Sequence, residues 1–228
     1  MVGPHRRSAD GAFFNLRGRI VALGGFFFRY RSYTALIWFI LLALCTFKEG
    51  RDIFTWLPGT VLLFVGEAVR IWSVAVIGKE SRTRGSGVSR LVTQGPYAYV
   101  RNPLYIGNFL ILLGATLISE LCWLLPIAVL LFAVQYVPIV LWEEGNIRNR
   151  FGEEFSAYCR RVPRWIPRWH SVGRASKPYQ WRAAFWSERS TFATLALLLL
   201  VMLMKENAAH IPKYLHKHWH IIRDAGSR

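Results

Sequence analysis

Two apolar runs, 104–119 and 121–142, meet with only a Ser119-Glu120 break between them. A helix needs about 20 predominantly apolar residues to cross the ~30 Å hydrocarbon core of a bilayer. Two such runs with so short a link can only fold back on one another as an antiparallel helical hairpin. Further apolar runs at 33–47, 54–77 and 192–204 join them. Within a bilayer every backbone polar group must be satisfied inside its own segment, which selects helices. The expected fold is therefore an all-α, multi-pass transmembrane helical bundle of about five spans, with the hairpin at its core and residues 1–228 forming a single membrane domain. The short apolar segment 20–28 is expected to lie in the interface, and Pro126 and Pro138 are expected to kink the second hairpin helix. No small-residue cleavage site follows the first strong run, so no cleaved signal peptide is expected.

Composition agrees with a membrane protein: 53% of the residues are hydrophobic and only 18% charged. Lys and Arg outnumber Asp and Glu by 29 to 13. So basic a chain raises nucleic-acid binding, but here the basic residues flank apolar runs, as in loops that face anionic lipid headgroups; membrane lipids, and no nucleic acid, are the expected partners. Counting these charges puts the N-terminus, the 78–101 loop and the 143–189 stretch on the cytoplasmic side. The basic tail 205–228 then falls outside, against the same rule. The Arg- and Trp-rich stretch 160–186 reads as a lipid-facing surface. Cys45, Cys122 and Cys159 lie far apart in sequence and suggest neither a disulfide framework nor a zinc site. In the tail, Lys217 and Trp219 interrupt His216, His218 and His220, so no metal site is expected there.

Chemistry concentrates at one end of the hairpin. The first helix leaves the cytoplasmic face at Arg101-Asn102-Pro103-Leu104-Tyr105, and the second returns to that face at Glu143-Glu144. Similar run lengths, at about 1.5 Å rise per residue, bring these clusters side by side although they lie about forty residues apart in sequence. A cation, hydrogen-bonding groups, an aromatic ring and two carboxylates would share one membrane-edge pocket. Such a set suits a polar ligand that meets a lipidic one; equally, Arg101 and the glutamates would simply pair. Gly107, one turn into the first helix, lets a ligand or another backbone approach closely. Glu67 and Arg70, three residues apart within the 54–77 run, are placed to pair; an ionisable pair inside a span is a functional candidate, and equally a structural pair near the membrane edge.

The run Leu91-Val92-Thr93-Gln94-Gly95-Pro96-Tyr97-Ala98-Tyr99-Val100-Arg101-Asn102-Pro103-Leu104-Tyr105-Ile106-Gly107 resembles the signature LVTxGPYxxxRHPxYxG of the isoprenylcysteine carboxyl methyltransferases and their phospholipid methyltransferase relatives. Glu143-Glu144, Phe151-Gly152, Tyr158 and Val162-Pro163-Arg164-Trp165-Ile166-Pro167 resemble that family's second block, EE…FGxxYxxYxxxVPxxxP. The likeness covers 89–167 as a catalytic core and leaves 168–228 as an extension without a role. It implies an integral membrane methyltransferase that takes S-adenosylmethionine at the cytoplasmic face and methylates a lipidic or lipid-linked acceptor. Carried over by position, it implies cofactor contacts from Ser89, Arg90, Leu91, Val92, Tyr97, Asn102, Pro103, Leu104, Tyr105 and Glu143, with Arg101 and Glu144 as the candidate catalytic residues and no metal.

The residue types suit that cofactor. Carboxylates accept from ribose hydroxyls or an ammonium, a helix start takes a carboxylate, and an aromatic face favours a sulfonium. Methyl transfer is an in-line displacement, so alignment dominates its rate. Two departures matter. Asn102 stands where the family often has His, and Ile139 where the isoprenylcysteine branch has an Arg thought to meet the substrate carboxylate. A carboxylate, an amine or a thiol acceptor remain open, and an amine would need Glu144 to take its proton. The alternatives are an NADPH-dependent sterol-type membrane reductase, which usually carries an Arg-Asp type sequence in place of the acidic pair, and a non-catalytic membrane scaffold.

Overall fold

The computed structural model describes residues 4–45, 52–78, 90–171 and 179–225, with side chains at 18–45, 52–78, 90–171 and 179–204. Among these the structure is helical: α1 (Pro4–Cys45), α2 (Ile53–Ile77), α3 (Pro103–Ile118), α4 (Leu125–Arg161) and α5 (Trp181–Ala225), with short 3-10 turns at Gly95–Ala98 and Cys122–Leu124. Four segments are long and apolar enough to cross a membrane: Gly18–Cys45, Ile53–Ile77, Cys122–Arg161 and Trp181–Met204; Pro103–Ile118 is a shorter apolar helix. Large apolar side chains such as Phe54, Phe64 and Leu130 stay exposed around the outside, as a lipid-facing surface requires.

Four sequence expectations change. The segment 20–28 does not lie apart from the first span. It lies inside α1, near the start of the Gly18–Cys45 span, where Gly24 and Gly25 let that helix close on Trp142, and on Gly24's side on the Pro138 carbonyl. The last span begins at Trp181 rather than 192. The stretch 160–186 is not one surface-lying segment, because Arg160 and Arg161 close α4 and Trp181 to Trp186 open α5. The non-helical break in α4 falls at Gly152 rather than at Pro138, which lies inside the helix, with φ +50° at Gly152, a left-handed backbone that glycine adopts without steric penalty. Pro126 sits in the first turn of α4, where its missing N–H costs nothing.

The hairpin forms, with Glu120 at φ +59° in its turn. Glu120 also accepts a 2.6 Å hydrogen bond from the backbone N–H of Asp52, which in turn caps α2 by accepting from Phe54. The most extensive helix contact is nevertheless between α2 and α3. A Cβ on Gly66 would lie 2.8 Å from the Gly107 carbonyl, and one on Gly59 would lie 2.9 Å from the Gly114 carbonyl. Four small residues thus let two backbones touch, which is how helices associate where no hydrophobic force acts between them. The approach that Gly107 allows is to a neighbouring backbone and to the stem of Arg70.

Candidate active site

The end of the hairpin that carries the two motif blocks is closed by three staples. The Arg101 backbone N–H donates to the Pro163 carbonyl at 2.9 Å, and the Arg168 N–H to the Tyr99 carbonyl at 3.0 Å. Tyr158 donates its hydroxyl to the Tyr97 carbonyl at 2.7 Å. The chain after α4 therefore folds over the Gly95–Ala98 turn and the start of α3. This brings the two sequence blocks into one site.

Successive residues on a helix diverge by about 100°, and the two glutamates face different partners. Glu143 is half-buried and accepts a 2.8 Å hydrogen bond from the Tyr105 hydroxyl. Glu144 is buried and is held by two of the three Arg164 side-chain nitrogens, at 2.7 Å from Nη2 and 3.0 Å from Nε, and by Arg101 Nη1 at 3.2 Å. Arg101 also reaches Cys159 Sγ at 3.0 Å. The bond to Glu144 holds the Arg164 guanidinium above its ordinary range, with burial opposing. Two guanidiniums around one carboxylate are a tight clamp.

The remaining predicted residues surround this pair. Asn102 precedes α3 without a side-chain cap; its amide donates instead to the Arg164 carbonyl at 3.3 Å. Pro103 is fully buried in the first turn and Leu104 packs near Val74 and Ala184. Tyr97 carries a phenol that burial pushes well above its usual range, with Glu143 and Tyr158 adding to the shift and a hydrogen bond with Ser73 opposing it; it is a neutral group throughout the physiological range. Leu91 packs against the Phe155, Tyr158 and Val162 cluster, while Arg90 and Val92 are half-buried beside it. Ser89 lies outside the described residues, and so do the side chains of the tail histidines.

Sequence reasoning quoted Arg164 in a motif but gave it no role; its Val-Pro-Arg context was the available signal. It also missed the polar groups one turn deeper. Asn108 donates to the Tyr136 hydroxyl at 3.2 Å and accepts from Arg70. The Tyr136 ring lies 5.0 Å from that of Tyr105 and stacks on Phe132 at 4.4 Å. Arg70 also binds Glu188 and pairs with Glu67 at 3.4 Å. Among the described residues there is no group of three or more His, Cys, Asp or Glu able to hold a metal ion.

Comparison with known proteins places this site in a family context. The phospholipid methyltransferase family matches residues 54–154. The nickel-cobalt-cadmium resistance protein NccN of Alcaligenes xylosoxydans xylosoxydans is 32% identical over 68% of this chain and 74% of its own length. The cobalt-zinc-cadmium resistance protein CzcN of Cupriavidus metallidurans is 30% identical over 64% of this chain and 68% of its own. The protein-S-isoprenylcysteine O-methyltransferase of Mus musculus is 32% identical over 50% of this chain and 42% of its own. No solved structure matches the chain.

Proposed function

Because this chain belongs to the phospholipid methyltransferase family, we propose that it moves the methyl group of S-adenosylmethionine onto a lipidic acceptor at the cytoplasmic edge of the membrane. It is an integral membrane methyltransferase; cofactor, acceptor and sidedness make up the proposal. The observation that carries it is the division of labour between neighbouring glutamates. Glu144 is consumed by Arg101 and Arg164, whereas Glu143 stays half-open and is oriented by Tyr105 alone among side chains.

In this reading Glu143 accepts from the ribose hydroxyls or the ammonium of the cofactor. The uncapped start of α3 at Asn102 offers backbone donors to its carboxylate end, and the Tyr105 ring faces the sulfonium. Tyr97, with Arg90, Leu91 and Val92, forms the opposite wall. Arg101 and Glu144 act as positioning residues rather than as groups that touch the cofactor. Their clamp locks the chain after α4 over the pocket, where water exclusion and alignment govern an in-line displacement. Saturable binding of S-adenosylmethionine to the detergent-purified protein, lost in Glu143→Gln, tests the assignment; NADPH binding in its place would favour a reductase, and binding of neither a scaffold.

The names of two relatives attach them to resistance against nickel, cobalt, zinc and cadmium. For this chain we place methylation in the same setting. Esterifying an anionic membrane group removes a charge that concentrates divalent cations at the surface. A deletion strain with unchanged tolerance to cobalt and nickel would dismiss that setting while leaving the methyltransferase reading intact.

A further inference from the structure

Arg31 belongs to no part of the site described so far. It lies on α1 within the apolar segment Gly18–Cys45, and a cation inside a span is costly and is normally paired. Among the described residues, no carboxylate lies within ion-pairing distance of it. Its guanidinium folds back toward the N-terminal end of α1, over the Phe28 ring at 3.9 Å, and donates to the Phe28 carbonyl at 2.9 Å. Helical side chains lean toward the N-terminus, so this fold brings the charge toward the Tyr105–Glu143 end of the bundle. The guanidinium is close enough to act electrostatically on Tyr105, Tyr136 and Glu143. Phe28, under the guanidinium, belongs with Phe27, Phe132 and Trp165 to the aromatic set packed against buried Tyr105 and Tyr136. Gln135 of α4 donates to the Arg31 carbonyl, and among the described residues the half-buried guanidinium has no carboxylate partner. Ile139, which lies one turn before Glu143 on α4, is fully buried and brings no charge.

We propose that Arg31 is the acceptor-binding residue: it holds an anionic group, a carboxylate or a phosphate, of an amphiphile whose chain lies along the aromatic face between α1 and α4. This rests on the methyltransferase reading and names its acceptor class. Opposite charges then select opposite groups, the cofactor's ammonium at Glu143 and the acceptor's anion at Arg31. A planar guanidinium is well suited to either anion, since it can donate two parallel bonds.

The test uses the full chain in non-ionic detergent and calorimetric titration with three probes of one chain length: dodecanoate, dodecyl phosphate and dodecyltrimethylammonium. Wild type is expected to bind at least one anionic probe saturably. Arg31→Gln should weaken that binding about tenfold, the scale of a lost charged hydrogen bond, with Arg31→Lys recovering part. Arg29→Gln, an exposed cation on the same helix, should bind as wild type. Binding of dodecanoate alone identifies a carboxylate, of dodecyl phosphate alone a phosphate, and of both the shared anion. The proposal is overturned if Arg31→Gln binds the anionic probes as wild type does, if no anionic probe binds, or if the cationic probe binds as tightly. S-adenosylmethionine is titrated into the same preparations. If wild type fails to bind it, the cofactor reading falls while Arg31-dependent anion binding stands. If cofactor binds and Arg31 makes no difference, only the acceptor inference falls.

Discussion

Glu143 and Glu144 are chemically identical and adjacent, yet their surroundings give them opposite tasks. Glu144 is buried between Arg101 and Arg164, and removing its charge leaves two guanidiniums without their counter-ion. Arg101 is largely buried but the Arg164 side chain is 38% exposed, so the cost falls below the ~3–5 kcal/mol of a fully buried pair, and Glu144→Gln should lower the thermal midpoint measured in detergent by several degrees. Tyr105→Phe removes only the hydroxyl that orients Glu143. It should leave that midpoint nearly unchanged and weaken cofactor binding by about tenfold, the worth of one hydrogen bond to a charged group. An equal loss of stability in both variants would contradict the division of tasks. The two motif blocks made the meeting of α3 and α4 legible in the sequence, because a hairpin of matched lengths fixes which ends meet. Which glutamate Arg164 holds was not legible: it depends on the chain beyond the Gly152 break folding back over the Gly95–Ala98 turn. Arg31 was hidden for a related reason. Flanked by Arg29, Tyr30 and Ser32, it reads as loop polarity, although α1 runs straight through it.

At the scale of elements, glycine placement decides how helices meet. A Cβ on Gly114 would lie 2.6 Å from the Gly59 carbonyl and 2.9 Å from the Leu63 nitrogen. Backbone cannot step aside as a flexible side chain can. Gly114→Ala should therefore destabilise by about 1–3 kcal/mol through overpacking. Gly145 is also helical, but a Cβ there meets nothing within 4 Å, so Gly145→Ala should stabilise by about 0.5–1 kcal/mol through helix propensity alone. Thermal melts of the pair check both signs. Hydropathy located most of the helices but misjudged their ends. The early part of the first span, from Gly18, was hidden by the Arg-containing segment 29–32, and the onset of α5 by the Trp- and Arg-rich 181–189. Pro138 reads as a helix breaker, but it lies within α4 and its carbonyl seats against Gly24.

The whole molecule is held together by charge as well as by shape. The family match ends at residue 154, and α5 lies beyond it. A buried cluster ties α5 back: Arg70 of α2 binds Glu188 and lies near Thr191, which itself donates to Glu188 at 2.9 Å, while Glu67 pairs with Arg70 from one turn away. Arg70→Met alone strands two buried carboxylates and should abolish a cooperative melt. Combining it with Glu67→Gln and Glu188→Gln removes every charge at once. A neutral replacement of a buried ionic cluster is often harmless, so the triple variant should recover much of the stability lost in the single one. A single and triple variant that melt alike would show that Arg70 acts through its packing on Gly107 rather than through its charge.

The same five-helix order bears on sidedness. If each of α1 to α5 crosses the bilayer, the ends of α1 and α5 lie on opposite faces, and the basic residues Lys205, Lys213, Lys217 and Arg223 leave the membrane on the side away from the site. Positive charge flanking a span ordinarily stays in the cytoplasm. The 78–101 and 143–171 segments carry basic residues too, and the rule acts on the whole distribution, with early spans usually dominant. Trp169 is 96% exposed beyond the α4 end of the site, and Trp123 is 67% exposed at the opposite end of the hairpin. In a background where Cys45, Cys122 and Cys159 are replaced by alanine, a cysteine at Trp123 should react with an impermeant maleimide added to intact cells. One at Trp169 should react only after the cells are opened. The reverse pattern would turn the whole bundle over and place the site on the outer face, where S-adenosylmethionine, a cytoplasmic metabolite, could not reach Glu143.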